Sequence, residues 1–229
     1  MNKGRISLGE AVTVEDMKEI EARAIALGVT SLSMMEAAGK GVAEMIIERF
    51  KDIREIAVLA GTGNNGGDGF VAARYLALKG YKLHVLLLGS PEDLRTEEAR
   101  RNWRLLESLP KPIHLYSLGK DVDLEGLKRI LGGVDLIVDA MLGTGVRGSL
   151  REPYRSVVEL INGAGKPIVA VDVPTGLNAT TGEICGVAVK ADYTVTFHRV
   201  KKGLLKAEEY AGEILIVDIG VPPQADIKT

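Results

Sequence analysis

One recurring unit limits what this chain can fold into: a short, fully apolar run, a loop, then a stretch with helical period. Ile56-Ala57-Val58-Leu59-Ala60 is the clearest run, and glycines end it. A run this short without polar alternation is buried on both faces, as strands inside parallel sheets are. Further strands are expected at Lys82 to Leu88, Ile113 to Tyr116, Asp135 to Asp139, Pro167 to Asp172, Tyr193 to Phe197 and Ile214 to Val217. Helices are expected between them. One runs from about Asp68 to Lys79, and one from a Ser90 cap, with Pro91 in first position, to about Leu109. Two more lie near Leu124 to Leu131 and Tyr154 to Asn162. Strands alternating with helices imply right-handed βαβ crossovers. The expected fold is α/β: a Rossmann-like, doubly wound, three-layer αβα sandwich around a mostly parallel sheet.

Two extra N-terminal helices precede this core. Thr13 reads as an N-cap with Asp16 three residues on; Met17, Ile20, Ala24 and Leu27 form an apolar stripe, and Gly28 stops it. A second helix is expected after Ser33, through Met35, Ala38, Val42, Met45 and Ile46. Its methionine-bearing stripe suits core packing and, alternatively, a subunit contact; a homodimer is expected. No linker or internal repeat divides the chain, so residues 1–229 read as a single domain.

Composition excludes several classes. A formal charge of −2 leaves no basic footprint for nucleic acid. The apolar runs are far too short to cross a bilayer, and Met1 to Gly9 carries no apolar leader segment. Cys185 is the sole cysteine, so no disulfide forms within the chain; it reads as a buried structural thiol. A cytoplasmic protein is expected.

Three strand ends carry unusual loops: 61–69 (GTGNNGGDG), 139–148 (DAMLGTGVRG) and 172–178 (DVPTGLN). Ligands of open parallel sheets bind beyond the carboxyl ends of the strands, so all three can face one cleft. Glycines let the backbone come close, and successive amides at a helix start form an anion nest. Gly61 to Gly66 also spells Gly-x-Gly-x-x-Gly, but the second strand ends Leu87-Leu88-Gly89 without the acid a dehydrogenase uses to hold a ribose. Hydride transfer loses ground accordingly. No Gly-x-x-x-x-Gly-Lys-Ser/Thr motif supports a P-loop kinase.

The loops carry more oxygen ligands than phosphate cradling needs. Asn65, Asp139 and Thr175 sit on three different loops and can surround one cation, although each alone is an ordinary turn residue. Oxygen-only ligands suit alkali or alkaline-earth ions, and a single carboxylate favours a monovalent one. Among the histidines, His84 and His114 read as strand residues, whereas His198 lies past a strand end where it can rim the cleft.

At these loops the chain resembles the NAD(P)H-hydrate epimerases, the YjeF N-terminal domain family. The motifs that carry the resemblance are 64–69 (NNGGDG), Asp139 with 143–148 (GTGVRG), 171–176 (VDVPTG), 35–39 (MEAAG), 194–197 (TVTF) and Lys202-Gly203. The likeness runs from about Val12 to Pro222. It implies interconversion of the R and S forms of NADHX and NADPHX, hydrates damaged at C6 of the nicotinamide ring. It implies one K⁺ per subunit held by Asn65, Asp139 and Thr175. It implies substrate contacts from Asn64, Asn65, Gly66, Gly67 and Asp68, from Gly143, Thr144, Gly145, Val146, Arg147, Gly148 and Ser149, and from Asp172. Where the family often has Ser, this chain has Thr175, which keeps the hydroxyl. Many relatives carry a following dehydratase domain; with the chain ending at Thr229, that activity is expected from a separate polypeptide.

The residues are compatible with this chemistry. C6 of the hydrate is a hemiaminal carbon, so inversion breaks and re-forms a C–O or C–N bond with a proton donor and acceptor but no redox partner. A carboxylate in a partly dry cleft serves both roles. Asp172 is the expected catalytic residue, because it ends a buried strand facing the cleft. The alternative is a catalytically silent nucleotide-binding or scaffold module of the same fold, against which Asn65, Asp139, Asp172 and Thr175 all argue.

Overall fold

The computed structural model describes residues 11–109, 113–119 and 122–226. Met1 to Gly9 lies outside the described residues. Seven strands form one sheet: β1 (Glu55–Ala60), β2 (Lys82–Leu87), β3 (Ile113–Ser117), β4 (Leu136–Ala140), β5 (Ile168–Val171), β6 (Tyr193–Phe197) and β7 (Glu213–Val217). Their order is β3-β2-β1-β4-β5-β6-β7, and each neighbouring pair is parallel. The chain winds outward from β1 to β3, then returns to β4 and winds the other way. The crevice at the carboxyl ends of β1 and β4 is therefore the topological switch point, where a ligand of this architecture binds.

Two apolar layers cover the sheet. On one face lie α1 (Val14–Ala26), α2 (Ser31–Arg49), α3 (Asn64–Leu78) and α4 (Glu97–Glu107), which bury Met17, Ile46, Phe70 and Trp103 against Ile56, Val58 and Val85. On the other lie α5 (Leu124–Gly133) and α6 (Tyr154–Asn162), which bury Leu127, Leu131, Val158 and Ile161 against Ala57, Leu59 and Ile137. Alternate residues of β1 thus feed opposite layers, the pleat of a two-faced strand. Short helices α7 (Lys202–Lys206) and α8 (Glu208–Ala211) fill the β6–β7 connection, which the sequence pattern did not reveal.

The expected caps are partly shifted. Thr13 and Asp16 do form a reciprocal capping box on α1, and Gly28 takes φ 98° just past its end. For α2 the cap is Thr30, whose hydroxyl accepts the Ser33 N–H at 3.0 Å, so the helix starts earlier than expected. Ser90 does not start the long helix: its N–H and hydroxyl bond Asp93 at 3.0 Å over one short turn at Pro91–Asp93, and α4 begins afresh at Glu97 under a Thr96 cap.

α3 begins at Asn64, four residues before the expected start. The glycine-rich segment read as a loop is the helix's own first turn, closed by Gly67 N–H to the Gly63 carbonyl at 3.1 Å. Glycine's poor helix propensity hid it. Gly39 lets α2 cross α3 closely, since a Cβ there would overlap the Val71 Cβ. Met34, Met35 and Met45 are all buried within the chain, so they form core rather than a free subunit face.

Candidate functional site

The three loops meet along the carboxyl edge of the sheet. Register places Leu59 of β1 beside Asp139 of β4, and Asp139 beside Ala170 of β5. The first loop lies hard against the exit from β4. A Cβ on Gly61 would overlap the Met141 carbonyl, and one on Gly66 would overlap the Gly61 carbonyl, so only glycine permits this approach. Asn64 and Asn65 consequently ride on the first turn of α3, where free backbone N–H groups and the helix dipole favour an anion, and Asp68 follows directly after it.

Asp139 is completely buried, yet its partners are all neutral. One carboxylate oxygen accepts the Thr175 hydroxyl at 2.7 Å and the Met141 N–H at 3.2 Å; the other accepts the Thr175 N–H at 2.7 Å. Burial pushes its pKa up to about 6, against the pull of the hydrogen bonds from Thr175 and Met141. The Thr175 hydroxyl also accepts the Leu142 N–H at 3.0 Å. Asn65 packs one residue further along the same loop: a Cβ on Gly143 would stand 3.1 Å from its Oδ1. The Asn65 side-chain nitrogen is buried without a hydrogen-bond partner. The groups here that could hold a monovalent cation are the Asp139 carboxylate, which has no cationic partner among the described residues, the Thr175 hydroxyl and the Asn65 side-chain oxygen beside Gly143. Among the described residues no cluster of His, Cys, Asp and Glu suits a zinc-type site.

Asp172 stands just past β5 in the left-handed region, at φ 63°, which asparagine and aspartate tolerate better than other side chains. Its N–H donates to the Val195 carbonyl at 2.8 Å, and Val173 N–H closes back on the Val171 carbonyl at 2.8 Å. This narrow turn lifts the carboxylate out of the strand. Its Oδ1 accepts the Lys201 ammonium at 2.5 Å and the Thr196 hydroxyl at 3.2 Å. Lys201 itself is 1% exposed. Its two other hydrogen bonds go to Thr196 Oγ1 and the Phe197 carbonyl, each at 3.1 Å. All three ammonium donors are therefore spent, as burial of such a group requires.

Two more acids face this pair. Burial lifts the Asp68 carboxyl well above the ordinary range; Asp172 and Glu21 push the same way, and Lys201 pulls against them. Glu21 of α1 is likewise raised, chiefly by burial, with Lys201 opposing and Asp172 adding. Glu21, Asn64, Asp68 and Phe197 line one cavity of about 120 Å³. Asp68 and Glu21 therefore both hold a proton more tightly than free carboxyl groups do, beside the Asp172–Lys201 pair.

Other expected residues fall around this centre. Gly143 and Thr144 are half-buried, Val146 is buried, and Gly145, Arg147, Gly148 and Ser149 are exposed. Arg147 pairs with Glu15 of α1 at 2.9 Å. His198, also at positive φ (58°), turns toward Asp226 at 3.5 Å and takes no part in the acid cluster. His84 is buried between Glu55 (2.6 Å) and Tyr116 (3.1 Å), far along the strands from the cleft. Cys185 is buried, as expected. Sequence reasoning missed Lys201 and Glu21. Nothing in the run Lys201-Lys202 tells which lysine turns inward, and Glu21 looks like any polar residue of an amphipathic helix.

Comparison with known proteins bears on this arrangement. A family profile described as YjeF-related protein N-terminus matches residues 31–203, from the start of α2 to Gly203 beyond Lys201. The chain belongs to this family. A member from Cenarchaeum symbiosum, named NAD(P)H-hydrate epimerase, is 43% identical over 216 residues, covering 94% of this chain and 97% of that protein. One of the same name from Nitrosopumilus maritimus is 39% identical, with the same two coverages, 94% and 97%. The bifunctional NAD(P)H-hydrate repair enzyme Nnr of Hyperthermus butylicus is 41% identical over 96% of this chain but only 40% of its own length. Among solved structures, yeast YNL200c superposes with a TM-score of 0.76 at 28% identity, covering 90% of this chain and 86% of that one. The family's Rossmann-like fold is the architecture described above.

Proposed function

We propose that this protein is an NAD(P)H-hydrate epimerase, interconverting R- and S-NADHX and R- and S-NADPHX. The observation that carries the reading is the acid cluster of Asp68, Asp172, Glu21 and Lys201 beside a helix N-terminus built for phosphate. That pairing supplies what inversion at C6 needs: a fixed anion site, and a proton donor next to a proton acceptor.

In this reading Asp172 carries the proton to and from the C6 substituent. Breaking C6–O releases water, which must add back on the other face; breaking C6–N opens the ring, which must close again. Either way the protons balance and no electrons are exchanged. Lys201 is the positioning residue that fixes Asp172, and Asp68 holds the complementary proton. Asn64 to Asp68 and Gly143 to Ser149 bracket the phosphates. We assign Asn65, Asp139 and Thr175 to a K⁺ ion, whose charge would offset both the buried Asp139 carboxylate and the substrate's phosphates.

The dehydratase step that consumes the S hydrate is assigned to a separate activity, of the kind fused to this domain in the bifunctional relatives. Among the described residues no helix is long and apolar enough to cross a membrane; a cytoplasmic location and a homodimer belong to the same proposal. The test is to supply purified R-NADHX and follow S-NADHX by chromatography, with the spontaneous rate subtracted. Conversion no faster than background defeats the reading and favours a silent nucleotide-binding module.

A further inference from the structure

We propose that the cavities beyond β1 and β2, walled by Arg95 and Tyr154, bind the adenosine half of the substrate and select the 2′-phosphorylated form. The inference rests on the epimerase reading and extends it to a subsite. The placement follows from the order of strand ends. The acid cluster stands over β5 and β6, and the phosphate-binding turn stands over the β1–β4 switch. A dinucleotide with its nicotinamide at the first and its pyrophosphate at the second continues toward β2. From β5 to β2 are three strand spacings, roughly 14 Å at ~4.8 Å each, which suits an extended dinucleotide.

Two open cavities lie where that path ends. One, about 350 Å³, is bounded by Gly143 to Arg151 with Arg95 and Tyr154. The other, about 750 Å³, is bounded by Thr62, Gly89, Arg95 and Tyr154. The two share Arg95 and Tyr154 as a common wall, and their sizes are those of small-molecule sites. Arg95 is tied to the phosphate loop by its backbone, whose N–H donates to the Thr62 carbonyl at 2.9 Å. Its exposed guanidinium pairs with no carboxylate among the described residues. Burial raises the Tyr154 phenol while the charge of Arg95 opposes that rise, consistent with the two side chains being neighbours.

The acids nearby are engaged elsewhere. Asp93 accepts from the Ser90 N–H and hydroxyl, and Glu152 accepts from the Ser156 N–H at 3.2 Å and hydroxyl at 2.7 Å. In dinucleotide folds an acid at this strand end holds the free ribose diol, whereas an arginine accommodates a 2′-phosphate. Here the acid beside the end of β2, Asp93 next to Gly89, is held by the Ser90 N–H and hydroxyl, and the arginine shares its cavity wall. Tyr154 offers a ring against which a purine can lie.

The experiment compares adenosine 2′,5′-bisphosphate with adenosine 5′-monophosphate by calorimetry on the intact protein. Wild type should bind the bisphosphate at least roughly tenfold more tightly, as a charge-assisted contact allows. Arg95→Ala should erase that preference, Arg95→Lys should restore part of it, and Tyr154→Ala should weaken both ligands together. In turnover, the ratio of kcat/KM for R-NADPHX over R-NADHX should fall by a similar factor in Arg95→Ala. No binding of either nucleotide, equal affinities in wild type, or a preference that survives Arg95→Ala overturns the proposal. If wild type epimerises neither hydrate, the functional reading fails by itself, and the two nucleotide affinities still decide the subsite.

Discussion

Replacing Lys201 by methionine separates what this residue does for folding from what it does for the reaction. Methionine keeps the length and most of the volume but removes an ammonium that bonds Asp172, Thr196 and the Phe197 carbonyl. Removing one partner of a buried ion pair costs about 3–5 kcal/mol, because the other charge is left uncompensated. The Lys201 side chain is 2% exposed and that of Asp172 is 14% exposed. Water can therefore reach the orphaned carboxylate from the cleft, which places the loss near the lower bound, about 3 kcal/mol by urea unfolding. Against a total of about 5–15 kcal/mol, the variant still folds. The carboxylate is then free to leave its position, and a displacement of that kind lowers kcat by about a hundredfold. KM should move much less, since the phosphate contacts lie on other loops. The pH profile of kcat should also shift upward, because Asp68 and Glu21 lose the Lys201 charge that opposes their raised pKa values. Adding Asp172→Asn removes the orphaned charge. The double variant should regain stability, with a coupling energy of about 2 kcal/mol in the cycle. If Lys201→Met loses stability but keeps kcat within threefold of wild type, Lys201 is merely structural and the positioning argument is wrong.

Asp172→Asn alone should cut turnover of R-NADHX by about 10²- to 10⁴-fold with a smaller effect on binding; retention of more than a tenth of the activity would make Asp172 a contact residue only. Asp68→Asn tests the buried acid through stability. A carboxyl whose folded pKa is raised contributes stability at low pH that is lost as pH rises through that value, so the variant should melt higher than wild type near pH 8 and show no gain near pH 4. A gain independent of pH would dissociate the effect from ionisation. Gly61→Ala forces a Cβ onto the Met141 carbonyl and should cost about 1–3 kcal/mol or more, together with substrate affinity, whereas Gly63→Ala meets nothing within 4 Å and should be nearly silent. Asp139→Ala should abolish any dependence of activity on K⁺ and weaken substrate binding, as read by titrating KCl into an otherwise alkali-free buffer.

The architecture was legible because the strands are short, mostly apolar runs and each connecting helix has a clear period; Tyr154–Asn162 and Tyr193–Phe197 fall where the pattern puts them. The errors have physical causes. Asn64 to Gly67 form the first turn of a helix whose glycines serve close packing, so propensity pointed the wrong way. Ser90 and Asp93 make a sound local cap over a turn that tertiary packing then interrupts. Asp139, Thr175 and Asp172 were visible as polar residues at the ends of buried strands. Lys201 was not, because burying an ammonium depends on acceptors 4, 5 and 29 positions away, which only the fold assembles.

Asp139 and Asp172 are compensated in different ways, and this difference fits the work proposed for each. Asp139 has only neutral donors around it, Thr175 and Met141, and burial alone holds its pKa near 6. In the proposed assignment a mobile cation would offset this charge, which no cation among the described residues does. Asp172 carries its counter-charge with it, in a lysine anchored to the next strand, and needs no ion from solution. Exchanging the two arrangements would fail in both places. A fixed lysine at Asp139 would occupy the space of the proposed cation and remove any dependence on it. An exchangeable ion at Asp172 would let the proposed proton carrier drift whenever the ion left. In the proposed reading the permanent pair therefore stands where position matters over each turnover, and Asp139, without a cationic partner, stands where charge would be supplied from outside.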